Sequence, residues 1–112
     1  IYGSGNQTRD LLYVKDCARF VVMTGFNSEV DGQIINAGTA RDVAINELAE
    51  LISKGRSDIN HVKHIHPQSE IMKLLCNYDK AKKLMDWEPE YSLEQGIEET
   101  EAWIEEELGC LI

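Results

Sequence analysis

No Lys or Arg follows Lys83, an absence that excludes one class of partner at once. Residues 86–112 carry ten Asp and Glu without a cation, whereas residues 1–85 hold 11 Lys and Arg against ten acids. Nucleic acid needs clustered cations to meet its phosphates, and the net charge of −9 has the wrong sign and placement for it. The acidic run reads instead as the solvated face of a helix. Proline is scarce, with only Pro67 and Pro89, and there are neither repeats nor low-complexity segments. No apolar run approaches the roughly 18 residues that span a bilayer, and no signal peptide is read. The three cysteines, Cys17, Cys76 and Cys110, include no Cys-x-x-Cys pair. That excludes a disulfide framework or a cysteine zinc site and fits a reducing cytoplasm. Each is expected to be a small buried hydrophobe.

What is present describes one α/β domain over residues 1–112, with 43% hydrophobic and 28% charged residues. The chain opens at Ile1 in what reads as a strand or loop, so a piece of a longer protein is expected. Residues 11–14 read as a strand, followed by a helix over residues 16–26 that Asp16 caps. Residues 33–36 read as a short strand. Residues 45–54 place apolar side chains at 45, 48, 49 and 52, one face of a helix. Its cap is poor, because Ala44 stands where Ser or Thr would complete a capping box with Glu47. Residues 61–66 and 71–76 read as strands. Residues 78–86 form a short helix that stops at Trp87-Glu88-Pro89. In the last helix Ser92 and Gln95 form a capping box, and Leu93, Ile97, Thr100, Ile104 and Leu108 line one face.

Several patterns are weighed and set aside. Gly3-Ser4-Gly5 begins like a dinucleotide fingerprint, but position 8 is Thr and a strand follows instead of a helix. His61, His64 and His66 have metal-compatible spacing without an obvious fourth ligand, so they read as a strand-surface cluster. Tyr78-x-x-x-Lys82 matches a catalytic dyad spacing that arises easily by chance. Residues 2–16 are the most informative. A glycine-flexible turn delivers Gln7 and Arg9, and a guanidinium beside an amide suits a phosphate or pyrophosphate. A surface ion pair is the alternative reading of Arg9 from chemistry alone.

The order Tyr2-Gly3-Ser4-Gly5-Asn6-Gln7-Thr8-Arg9-Asp10, then Tyr13-Val14-x-Asp16, then Gly32-Gln33-Ile34-Ile35-Asn36-Ala37-Gly38-Thr39 and Ile45-Asn46-Glu47-Leu48-Ala49 is distinctive. With Asn77-Tyr78-Asp79-Lys80-Ala81-Lys82 through Trp87-Glu88-Pro89, it resembles the C-terminal part of extended short-chain dehydrogenases/reductases. These are the NAD-dependent epimerases and dehydratases of nucleotide sugars. The resemblance implies a small C-terminal substrate-binding lobe whose Rossmann domain, with the NAD loop and the catalytic Tyr-x-x-x-Lys, lies before Ile1.

On that resemblance Arg9 contacts the diphosphate of a UDP- or dTDP-linked sugar, with Gln7 beside it. Asn36 also reaches the diphosphate, and Tyr2 lies near the base. The family's Arg-Pro clamp reads His66-Pro67 here, which weakens it unless Lys63 or Lys73 substitutes. The chain itself is expected to hold no catalytic, cofactor-binding or metal-binding residue and to be inactive alone. The 4,6-dehydratase branch (a lyase) is favoured over the 4-epimerase branch (an isomerase). A stand-alone nucleotide-binding or oligomerisation module is the alternative, and exposed apolar surface would make a homodimer.

Overall fold

The computed structural model describes residues 1–110. Three short strands form a mixed sheet in the order β2–β1–β3. Strand β1 (Thr8–Asp10) runs antiparallel to β2 (Asp42–Ala44), with Arg9 opposite Val43. It runs parallel to β3 (Lys73–Leu74), with Arg9 opposite Leu74. Arg9 therefore occupies the middle of the central strand. The helices are α1 (Val14–Gly25), α2 (Ile45–Ser53), α3 (Asp79–Met85) and α4 (Leu93–Cys110). Short 3-10 turns cover Ser28–Val30 and Pro67–Ser69.

Several expected elements shift. The first strand lies at Thr8–Asp10, not at residues 11–14, because the apolar run leaves the sheet for other partners. Leu12 packs toward the buried cluster around Trp87, and the Tyr13 ring sits against Gly96 of α4. Residues 61–66 form only a single parallel bridge, Tyr2 to Val62. The strand over 71–76 shrinks to two residues. Residues 33–37 have no regular secondary structure but alternate in burial, with Ile35 and Ala37 against the core and Ile34 and Asn36 outward. No described strand pairs with them, and without a ladder an extended segment is not a sheet strand. Cys17 faces solvent and Cys76 is half-buried, so neither is the fully buried hydrophobe expected. The Cys110 side chain lies outside what is described.

The helices keep their identity, but α1 starts two residues early and α2 is capped by the backbone. Helix α1 begins at Val14 behind Tyr13, which makes no side-chain cap. Asp16 is 1% exposed and accepts from the backbone N–H groups of Glu90 (3.0 Å) and Tyr91 (3.0 Å), so it anchors the segment before α4 rather than capping its own helix. Helix α2 overcomes its poor cap through the backbone: Ile45 N–H donates to the Gln7 carbonyl and Asn46 N–H to the Gly5 carbonyl. The α4 capping box forms as expected, with Gln95 N–H on Ser92 Oγ at 3.1 Å and Ser92 N–H on Gln95 Oε1 at 2.9 Å.

Trp87 is the centre of the core, fully buried with Val30, Ala81 and Met85. Phe20 and Tyr78 meet its ring edge-on at 5.2 and 5.9 Å, a favoured aromatic geometry. Next to the sheet, Asp10 gathers four donors. Its Oδ1 accepts from Thr39 N–H and Oγ1–H, and its Oδ2 from Ala40 N–H and Cys76 N–H. Gly38 is required here, because a Cβ at that position would lie 2.3 Å from the Cys76 Cβ.

The acidic tail is not all solvated face. Glu101 binds Lys54 at 2.5 Å and Arg56 at 2.6 Å, tying the end of α2 to α4, and Glu99 takes Lys15 and the Tyr13 hydroxyl. Between α2 and α4 lies an apolar groove of about 480 Å³ lined by Leu48, Ile52, Leu93, Ile97 and Ile104. The other side of α1 exposes Val14, Val21, Val22 and, just past its end, Phe26, which is 91% exposed.

Two expectations follow. Asp10→Asn turns one acceptor oxygen into an amide that faces at least one backbone N–H donor in either orientation and removes the charge, so it costs about 2–4 kcal/mol, read as a lower urea midpoint with an unchanged slope. An unchanged midpoint would rule out the four-donor clamp. Glu101 sits below the ordinary glutamate value of 4.5 because Lys54, then Arg56, hydrogen-bond its charged form. Its contribution is thus full above that value and fades as pH falls through the lower folded value. Glu101→Gln should melt below the wild type at pH 7, with a gap that closes in acid. A gap unchanged at pH 3 would contradict that linkage.

Candidate functional site

Beside the central strand a pocket of about 510 Å³ is lined by Tyr2, Gln7, Arg9, His64, Ser69 and Glu70 over an apolar floor that includes Ile45 and Leu74. Sequence order scatters these residues, and the topology gathers them. β1 supplies Arg9, the glycine turn supplies Tyr2 and Gln7, and the 3-10 turn before β3 supplies Ser69 and Glu70. The Tyr2 to Val62 bridge, with Gly3 N–H on the Val62 carbonyl at 2.8 Å, brings the His64 segment alongside.

Arg9 is held firmly and left electrostatically open. Its Nη1 donates to the carbonyls of Thr8 and Ile71, both at 2.7 Å. Neither Nη2 nor Nε has a partner among the described residues, and no carboxylate there lies within ion-pair distance of the group. The surface ion-pair alternative is therefore not what forms. A guanidinium fixed by one nitrogen, with three N–H donors free, is prepared for an anionic oxygen. Gln7 is 7% exposed and its Nε2 donates to the Tyr2 carbonyl at 3.2 Å, which leaves Oε1 buried without a donor. A buried unpaired acceptor at a pocket wall is open to a donor from a ligand or an ordered water.

Three of the five expected residues, Tyr2, Gln7 and Arg9, thus share the pocket. Asn36 lies on the outward side of the unpaired segment and is absent from the lining. The His66 ring is exposed, and its backbone N–H donates to His64 Nδ1 at 2.9 Å. Of the two substitute cations, Lys73 pairs with Asp42 at 3.4 Å and Lys63 is exposed outside the lining. Asp42 is pushed below its ordinary value, mainly by the Thr8 hydroxyl and then by Lys73. Sequence reasoning missed His64 and Glu70. Spacing offered no signal for them, since the Tyr2 to Val62 bridge brings in His64 and the Arg9 bond to the Ile71 carbonyl brings in Glu70.

The patterns set aside stay apart in space. The Gly3–Gly5 turn closes on α2, and a Cβ at Gly5 would lie 1.9 Å from Asn46 Oδ1. Tyr78 faces the core and Lys82 binds Asp86 at 2.7 Å, so the two form no dyad. Asp86, and then Glu88, hold the Lys82 ammonium above its ordinary value, the opposite of an activated lysine. His61 Nε2 pairs with Asn46 Oδ1 at 2.8 Å, and no three metal-binding side chains converge among the described residues. Nor is any described helix long and apolar enough to cross a membrane.

A small mixed sheet carrying a pinned arginine at the mouth of a polar pocket, in this motif order, defines a lobe of the extended short-chain dehydrogenase/reductase type. The family model for GDP-mannose 4,6 dehydratase matches residues 1–100, and the chain belongs to that family. Pal from Bacillus thuringiensis is 62% identical in its crystal structure, with a TM-score of 0.92, covering 95% of this chain and 34% of that one. UDP-glucuronate 4-epimerase from Thermodesulfobacterium geofontis is 31% identical over 99% of this chain and 34% of its own length. The UDP-glucuronic acid 4-epimerase of Bacillus cereus, solved with UDP-glucuronic acid and NAD, is 27% identical with a TM-score of 0.77. It is covered over 88% of this chain and 32% of that one. The chain spans about a third of the length of these relatives.

Proposed function

We propose that residues 1–112 are the single substrate-binding lobe of an NAD-dependent nucleotide-sugar enzyme and bind the diphosphate of a UDP- or dTDP-linked sugar. The observation that carries this reading is Arg9, pinned through Nη1 with its remaining donors turned to a pocket that also holds Tyr2 and Gln7. Phosphate oxygens take the guanidinium, an aromatic Tyr2 covers the base, and Gln7 orients the ligand without adding charge. Asn36 joins this site only if its segment is ordered by a neighbouring strand, and His66 only if its ring turns inward.

Catalysis is assigned to the parent enzyme. NAD, held by a Rossmann domain beyond this chain, would take hydride from C4 of the sugar and return it after elimination or inversion. The residues present here bind and orient, and the lobe alone is inactive. The 4,6-dehydratase branch is favoured, in keeping with the description of the family model, and the 4-epimerase branch is the alternative. Two surfaces support a missing neighbour: the unpaired, alternating segment 33–37 and the apolar side of α1 with Val14, Val21 and Val22. Three cysteines without a paired motif support a cytoplasmic setting.

Arg9→Ala should weaken UDP-glucose binding by about tenfold or more, measured by calorimetry, because it removes charge-assisted hydrogen bonds. Binding that ignores the substitution would sink the phosphate assignment. The exposed face of α1 also predicts a reversible dimer in sedimentation, shifting with concentration and dispersed by Val21→Glu. A clean monomer at high concentration would count against that surface being sticky enough to need a partner.

A further inference from the structure

Helix α4 leaves the body of the chain while still helical. Every residue from Ala102 to Gly109 is exposed, and apolar side chains continue among them, with Trp103, Ile104 and Leu108 at 60%, 45% and 56% exposure. Ile104 and Leu108 extend the line of Leu93 and Ile97, the α4 wall of the apolar groove that Leu48 and Ile52 close from α2. From Leu93 to Leu108 this line runs about 22 Å along the helix, or roughly four turns. At about 100° per residue, Glu105 and Glu107 fall on opposite sides of it. The groove therefore opens at one end into an apolar strip with a carboxylate on each rim.

The charges here work against the helix that carries them. A helix C-terminus has partial negative charge and favours cations, yet the last turn of α4 holds no Lys or Arg and follows Glu105, Glu106 and Glu107. Earlier acids are matched: Glu94 by Arg41 at 3.9 Å, Glu99 by Lys15, and Glu101 by Lys54 and Arg56. Glu105, Glu106 and Glu107 have no cationic partner among the described residues. The stretch that exposes the most apolar surface on α4 is thus the one with unmatched negative charge. A second copy docked through its own α4 would set like charges against each other, and anionic lipid would be repelled. A cationic occupant satisfies both the charge and the apolar strip. We propose that the α2–α4 groove and the projecting end of α4 form a docking surface for a cationic amphipathic helix of a partner protein. Its apolar side chains, spaced i, i+3, i+4 and i+7, fill the groove between Ile52 and Ile104, and Lys or Arg on its flanks meets Glu105 and Glu107. The apolar contact supplies affinity, and the rim charges select the sign of the partner.

The test titrates the 112-residue chain with three designed helical peptides of about 15 residues, long enough to span the strip. The first carries Leu along one face and Lys on its flanks. The second replaces each Lys with Glu, and the third keeps the composition of the first but scatters Leu around the helix. The first should bind at least about tenfold more tightly than either control, with amide shifts centred on Leu48, Ile52, Ile97 and Ile104. Its affinity should fall as salt is raised, because the rim charges are exposed. Ile104→Asn should weaken it by about tenfold. The triple variant Glu105→Lys, Glu106→Lys, Glu107→Lys alters only exposed side chains and suits the helix dipole, so the fold is kept. It should reverse the preference, losing the Lys peptide and gaining its Glu twin. Equal binding of the scattered peptide would reduce the surface to unselective charge, and equal binding of the Glu twin would reduce it to unselective apolar contact. Either result, or no binding of the first peptide, overturns the proposal. So does self-association that Ile104→Asn disperses and Val21→Glu does not, since the occupant would then be a second copy.

Discussion

The carboxylate of Asp10 holds together the parts of the chain that make the site. It follows Arg9 directly on the central strand and binds four donors from the 39–40 loop and the start of the segment after β3. Charged acceptors bonded by backbone N–H groups are among the stronger hydrogen-bonded arrangements in proteins. Because strands β1, β2 and β3 are only three, three and two residues long, ladder bonds alone would hold such a sheet weakly. Asp10 fastens the segments flanking both outer strands to the middle one, and the register of Arg9 follows. Asp16 repeats the device six positions on, binding the backbone of Glu90 and Tyr91 and so fixing the approach to α4.

This division of labour lets one short motif hold both the sheet and the candidate site together. In Arg9-Asp10 the cation faces the pocket and the anion faces inward to donors, so neighbouring opposite charges do not neutralise each other. The strand period of two puts them on opposite sides. The pocket then needs little else: one guanidinium anchored by carbonyls, an amide whose Oε1 lacks a donor, and a turn that brings a carboxylate and an imidazole across from them.

How much was legible in the residues varies with the range of the interaction. Local rules worked where local forces decide: the Ser92–Gln95 capping box, the α2 apolar face and the end of α3 before Trp87 are all where periodicity and capping put them. They failed where a distant partner decides. Leu12 and Tyr13 read as strand, but Leu12 packs against the buried cluster and Tyr13 on Gly96, more than 80 residues away in sequence. Asp16 read as a cap because Asp before an apolar run usually is one, yet its partners come from beyond α3. In the site, Arg9, Gln7 and Tyr2 were legible because they cluster in one motif. His64 and Glu70 were not, since the spacing that reads as a strand with His66 hides which imidazole faces in.

The central claim is that a nucleotide sugar binds beside Arg9 and not in the apolar groove between α2 and α4. An amide NMR titration of the chain with UDP-glucose tests it most directly. The account predicts saturable shifts concentrated on Tyr2 to Arg9 and on residues 64–74, with the amides of Leu48, Ile52, Ile97 and Ile104 unmoved. Shifts centred on those four groove residues, or none at saturating ligand, would contradict it.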